Sequence, residues 1–248
     1  MKSILNRIIN LFNKRAEENK LLSALPLQQR KLLRSIQQKK LTYLNIRKLI
    51  NILHSCNSLE RSALSGIFIE AGCALGGSAI LIAHSKNKNR SFFVYDVFGM
   101  IPPPTSEDTL EVHERYQVIA DGKSSGIGGS KYYGYEKNLY KKVQNNLLRF
   151  GINTEKYSVK LIKGLLQETM HVTEPVVFAH IDVDWYEPVK VSLERIYPRL
   201  VENGVIILDD YFDWGGCRKA TDEFLRDKMD EVLLDDTYGS LKITKKKA

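Results

Sequence analysis

The chain has 248 residues with 37 Lys/Arg against 29 Asp/Glu, a net charge of +8, which is enough for one α/β domain with a full core and an appendage. Residues 1–50 hold 12 Lys/Arg and 2 Asp/Glu and the rest hold 25 and 27, so the basic excess sits in the N-terminal fifth and the body offers no nucleic-acid-binding face. No run of about 18 uncharged apolar residues occurs, no signal-peptide pattern opens the chain, and Cys56, Cys73 and Cys217 are isolated, so a membrane span, export, a disulfide framework and a zinc site are not expected and the cytoplasm is.

The first stretch, MKSILNRIINLFNKR, sets Ile4, Leu5, Ile8, Ile9, Leu11 and Phe12 at helical spacing among Lys2, Arg7, Lys14 and Arg15, a short amphipathic basic helix. It can pack on the body, meet a second copy of the chain in a homo-oligomer, or lie through residues 1–15 on the anionic inner surface of a membrane. Charge alone also allows DNA, but no base-reading motif accompanies it. A further basic helical stretch follows, with Tyr43, Ile46, Leu49, Ile50 and Leu53 as its core-facing stripe. Residues 1–60 are therefore expected as a helical arm and 61–248 as the α/β domain.

The domain opens with a βαβ unit. Ile67, Phe68 and Ile69 predict a strand that ends at Glu70; Gly72, Gly76 and Gly77 allow a tight turn, Ser78 begins the helix SAILIAHS, and the strand SFFVYD ends at Asp96. Strand, glycine turn, helix and strand-end acid suit the nucleoside part of a cofactor, with the acid accepting from ribose hydroxyls. The spacing is Glu70-x-Gly72-x-x-x-Gly76 rather than G-x-G-x-x-G. It looks like the first motif of S-adenosylmethionine-dependent methyltransferases, although a nicotinamide site or a ligand-free βα turn can use such glycines too.

Gly99 to Gly134 is rich in Pro, Gly and Ser and reads as a lid or binding loop, with a short helix over Thr109–Ala120; His113, Tyr132, Tyr133 and Tyr135 are its candidate substrate contacts. NLYKKVQNNLLRFGI predicts a helix stopped by Gly151, and SVKLIKG a strand ending at Gly164. Two buried parallel strands, VVFAHI and GVIIL, then run into Asp182-Val183-Asp184 and Asp209-Asp210. Ligands of open α/β sheets bind beyond such strand ends, and a cation relieves the repulsion among close carboxylates; turns that merely favour Asp are the plainer alternative. RKATDEFLR predicts a helix, and EVLLDD and LKITKKKA closing strands.

IEAGCALGGSA, VYDVFGMIPPP, YSVKLIKGLLQETM, HIDVDWYEP and GVIILDDYFDWGGCRKATDEF resemble, in this order, the motifs of the macrocin-type sugar O-methyltransferases of class I, over roughly residues 64–240. The resemblance implies a doubly wound, mostly parallel seven-stranded sheet, S-adenosyl-L-methionine as donor, a divalent metal such as Mg2+, and methylation of a sugar hydroxyl on a glycan or glycosylated metabolite. By position it implies Asp182, Asp209 and Asp210 as metal ligands and Asp184 as general base. Around the donor it implies Glu70, Gly72, Gly76, Gly77, Ser78, Asp96, Gly164 and Asp182. Val183 stands where the family more often has a small residue, and Trp185 replaces a smaller side chain beside the acceptor, which bears on acceptor identity. His180 is the alternative base, and a catechol-like O-methyltransferase or a noncatalytic scaffold are the competing functions.

Overall fold

A computed structural model describes residues 16–62 and 64–247; the basic helix expected over residues 1–15, and its membrane contact, fall outside them. Three helices lead in: α1 (residues 16–23), α2 (Leu27–Gln38) and α3 (Ile46–Arg61). The Asn45 side chain caps α3 by accepting from the Lys48 N–H at 3.1 Å. Ile46, Leu49, Ile50 and Leu53 face the core as their spacing predicts. Tyr43 does not: it precedes the helix and is 50% exposed.

Seven strands follow, β1 (Ile67–Ala71), β2 (Phe92–Asp96), β3 (Val159–Lys163), β4 (Val176–Ile181), β5 (Leu200–Leu208), β6 (Val232–Asp235) and β7 (Leu241–Lys245). They form one sheet in the order β3-β2-β1-β4-β5-β7-β6, parallel from β3 to β5, with β7 antiparallel to both β5 and β6. Strand order reverses between β1 and β4, and ligands of open α/β sheets bind beyond the C-terminal ends of the strands at such a point. The other helices are α4 (Gly77–Ser85), α5 (Leu110–Ala120), α6 (Leu139–Arg149), α7 (Leu166–Thr169), α8 (Tyr186–Ile196) and α9 (Gly215–Leu225). No described helix is long and apolar enough to cross a membrane.

Each sheet face buries its own layer. Phe68, Phe92, Val94, Phe178 and Ile207 meet α2, α3, α4 and α6 on one side, so the arm shares its core with the sheet. Ile69, Ala71, Ala179, Ile206 and Ile243 meet α8 and α9 on the other. Alternation along β1 assigns these faces: Phe68 points one way, Ile67, Ile69 and Ala71 the other. A small third cluster of Ile101, Val112, Ile119, Tyr132 and Trp185 gives the long loop over residues 99–138 a packed base. The helix α8 has no counterpart among the sequence expectations; Pro188 near its start reads as a turn residue, yet it is tolerated in a first helical turn, where no N–H is needed.

Candidate functional site

Two clefts open beyond the ends of β1 and β4. The first, of about 770 Å³, is lined by Gly72, Tyr95, Asp96, Gly99, Gly164 and the apolar edges of Ile101, Pro102 and Leu166. The second, of about 1390 Å³, is lined by Tyr43, Lys48, Arg115, Tyr132, Asp209, Asp210 and Trp214. Gly72, Asp96, Tyr133, Asp182, Asp184 and Trp185 belong to both, so the two spaces meet at the first acidic pair.

Local geometry explains these positions. Gly72 has φ +81°, and a Cβ there would lie 1.9 Å from the Asp182 carbonyl oxygen. This contact lets the tips of β1 and β4 close up, with the Asp182 N–H donating to the Ala71 carbonyl at 2.8 Å. Gly72→Ala adds an unfavourable backbone conformation worth about 1–3 kcal/mol to a direct overlap. Urea unfolding should show a loss of at least about 2 kcal/mol; an alanine variant as stable as the parent would contradict the packing.

Asp96 accepts from the Cys73 N–H at 2.8 Å and the Ala74 N–H at 3.3 Å with Oδ2, and from the Phe98 N–H at 2.6 Å with Oδ1. The acid expected at ribose thus clamps the glycine turn, and its oxygens keep acceptor capacity only beyond those bonds. Burial raises its pKa, against the pull of the same N–H groups.

Gly72, Asp96, Gly164 and Asp182 border the first cleft, whereas Glu70, Gly76, Gly77 and Ser78 border neither. Gly77 donates its N–H to the Leu41 carbonyl at 3.0 Å, and a Cβ on it would sit 2.5 Å from that oxygen. This glycine makes room for the arm. Glu70 is fully buried, which raises its pKa against the opposing pull of His180 and Ser78; its Oε1 lies 3.1 Å from His180 Nδ1 on the neighbouring strand. His180 has no exposed surface and reaches neither cleft, so it supports Glu70 from within the sheet.

The acidic pairs converge. Carboxylate oxygens of Asp182, Asp184 and Asp210 lie within 4.8 Å of one another, and Asp209, Asp210 and Asp213 form a second such group. Asp184 has φ +59°, a left-handed turn that Asp tolerates better than most residues and that turns its side chain toward Asp210. Asp209 is engaged differently from the other three. Lys48, reaching from α3, donates to its backbone oxygen at 3.0 Å, to its Oδ2 at 2.9 Å and to Asp213 Oδ2 at 2.7 Å. Burial alone would lower the Lys48 pKa, but attraction to Asp209 and the bonds to both carboxylates raise it overall. Nothing in the sequence separated this lysine from the basic residues around it.

Desolvation, followed by mutual repulsion, lifts Asp182 and Asp210 well above the usual carboxylate range; burial lifts Asp184 and Asp209 to about 6. Asp209 Oδ1 and Asp210 Oδ2 are buried with no hydrogen-bond partner among the described residues. Buried oxygens without partners, in a cluster of negative charge, have the chemistry of ligands for a hard divalent cation. The oxygens of Asp182, Asp184 and Asp210 are grouped as such an ion would need, whereas Asp209, expected beside Asp182, groups with Asp210 and Asp213 and gives one oxygen to Lys48.

The loop tyrosines differ in role. Tyr132 and Tyr133 line the second cleft, whereas Tyr135 gives its hydroxyl hydrogen to the Ile119 carbonyl at 2.6 Å and accepts from the Ser124 N–H. His113 bonds the Thr105 carbonyl and lines neither cleft. Trp185, only 2% exposed, donates its indole N–H to the Pro102 carbonyl at 3.0 Å and meets Trp214 edge-on at 5.7 Å between ring centroids. It forms the wall between the clefts.

Comparison with known proteins bears on the family and the fold. The family model described as Macrocin-O-methyltransferase (TylF) matches residues 2–235. Mycinamicin III 3''-O-methyltransferase of Micromonospora griseorubida is 26% identical over 212 residues, covering 80% of this chain and 76% of its own. Demethyldecarbamoylnovobiocin O-methyltransferase of Streptomyces niveus is 25% identical over 213 residues, covering 80% and 73%. The solved structure of the O-methyltransferase NovP superposes with a TM-score of 0.67 at 21% identity, covering 84% of this chain and 83% of that one.

Proposed function

The chain belongs to the macrocin O-methyltransferase family, and from that membership we propose that it transfers a methyl group from S-adenosyl-L-methionine to a hydroxyl of a sugar-containing acceptor, with a divalent cation, Mg2+ by its oxygen ligands, held by Asp182, Asp209 and Asp210. The observation that carries this reading is the meeting of the two clefts at Asp182 and Asp184. A two-substrate transfer needs its partners to enter from separate sides and touch at one point. The relatives' names place sugars and glycosylated natural products among the acceptors of the family.

The donor supplies an electrophilic methyl on a sulfonium whose positive charge disappears on transfer. Its nucleoside fits the first cleft, between the apolar Pro102 and Leu166 edges and the Asp96 end. A cation held by the aspartates supplies Lewis acidity that lowers the pKa of a neighbouring hydroxyl. Asp184, held by its strained turn between the clefts, accepts the hydroxyl proton as the oxygen attacks. Trp185, anchored to the Pro102 carbonyl, lines both spaces and shapes their junction. The second cleft, with tyrosine and tryptophan walls and a row of carboxylates, suits a polyhydroxylated ring, which combines apolar faces with many donors.

Calorimetry with S-adenosyl-L-methionine and a screen of sugar acceptors for methyl transfer test the activity; absence of donor binding would leave only a scaffold. Asp210→Asn should keep donor affinity and lose cation affinity by at least about 100-fold, with turnover falling alongside; unchanged turnover would refute its role.

The cluster also predicts a pH effect. Burial pushes Asp184 and Asp209 up to about 6 in the fold, against the ordinary 3.8 of an aspartate in the unfolded chain, so between these values the native state holds more protons and stability falls as pH rises. A bound cation offsets that loss. Added Mg2+ should therefore raise Tm by several degrees more at about pH 7.5 than at about pH 5; equal shifts at both would argue against binding at these carboxylates.

A further inference from the structure

Two cations line the second cleft, Lys48 and Arg115, and their circumstances differ. Lys48 spends all three protons on Asp209 and Asp213. Arg115, on α5, has one hydrogen bond among the described residues, to Ser124 Oγ at 2.8 Å, and its guanidinium lies 6.0 Å from the Tyr132 ring centroid. It forms no ion pair with any described carboxylate, although it is half-buried and the cleft is rich in them. A guanidinium offers five N–H donors in a planar fork, so most of that capacity is without a partner among the described residues, at the wall of the second cleft.

A purely structural role would be to hold the loop after α5. That loop is fastened without it. Tyr135 accepts from the Ser124 N–H at 3.2 Å and donates to Ile119, and Ser125 and Lys131 form an antiparallel bridge. Arg115 lines the same cleft as Asp184, Tyr43 and Tyr132. It therefore stands close to the place where the acceptor hydroxyl must lie, beside phenols and with no carboxylate bonded to it.

We propose that Arg115 grips an oxyanion carried by the acceptor, so that the sugar enters as a phosphate- or carboxylate-bearing molecule rather than as a neutral glycoside. This deepens the methyl-transfer reading and rests on it. The guanidinium fork matches two oxygens of either anion, and such bidentate bonds fix orientation as well as affinity. Held at its anionic end by Arg115, the ring is confined to the span between that residue and Asp184, which selects one of its hydroxyls for methylation.

The test is calorimetry on the protein loaded with S-adenosylhomocysteine, using uridine diphosphate glucose, glucuronic acid and methyl glucoside as probes that share one ring. One anionic probe should bind at least about tenfold tighter than methyl glucoside. Advantage for the nucleotide sugar identifies a phosphate, and advantage for the uronate a carboxylate. Arg115→Gln should abolish that advantage while leaving S-adenosylhomocysteine affinity as it was, and Arg115→Lys should retain part of it. No preference for either anion, or a preference that survives Arg115→Gln, overturns the proposal. If Arg115→Gln does not fold, Arg115→Lys decides, because an undiminished preference there contradicts the fork. Failure of the parent protein to bind S-adenosylhomocysteine would instead strike the methyl-transfer reading, and this proposal with it.

Discussion

Asp184→Asn should lower kcat by about 10²–10⁴-fold, the span that loss of a general base commonly covers, with donor affinity little changed. The substitution isolates the proton acceptor because Asn also tolerates the left-handed backbone that Asp184 occupies at φ +59°. It also keeps the volume against Asp210. Burial, opposed by the hydrogen bond with Asp210 and by the charges of Arg115 and Lys48, places the Asp184 pKa at about 6. The parent's kcat/KM should therefore fall as pH drops through the protonation of this group, at a lower pH once a cation is bound. Asp184→Asn should flatten that limb. Single-turnover methyl transfer across pH makes the measurement, and a variant that keeps both its rate and the limb would assign the base elsewhere.

The second large effect belongs to Lys48. Its side chain and that of Asp209 are 10% and 6% exposed, and the two are 2.9 Å apart. Removing one partner of a buried pair leaves the other charge uncompensated and costs about 3–5 kcal/mol; access of water through the cleft places Lys48→Met near the lower figure. The double variant Lys48→Met/Asp209→Asn should recover part of the loss, with a coupling of about 1–3 kcal/mol in a double-mutant cycle. Additive losses would mean that the lysine stabilises the fold by packing alone. Because Lys48 also bonds the Asp209 carbonyl, its loss frees the tip of β5, so cation affinity should suffer even though a nearby positive charge has gone.

The sheet was legible because buried parallel strands leave continuous apolar runs: VVFAHI and GVIIL became β4 and the buried half of β5, and the closing strands appeared where expected. The acidic strand ends were legible for the same reason, since Asp182 and Asp209 each follow such a run. The glycine motif was read less fully. Its glycines pointed to a tight turn, but spacing along the chain does not say what approaches them, and for Gly77 it is the Leu41 carbonyl. Tyr43 was placed with the core because it fits the period of α3, yet Asn45 caps the helix and leaves the ring at the second cleft. Lys48 and Arg115 could not be singled out, since a charged residue on an amphipathic helix looks the same in sequence whether it meets water or a carboxylate from 161 positions away.

The Gly77 to Leu41 hydrogen bond has a consequence for engineering. Together with Lys48 it fastens both the glycine turn and the acidic corner to residues before 60. The transferase core is thus not a portable cassette. A chimaera that exchanges the leading helices with those of a relative should express as an inactive or unstable protein unless the graft brings a close-fitting turn and a cation at position 48, and acceptor preference cannot be transplanted without them.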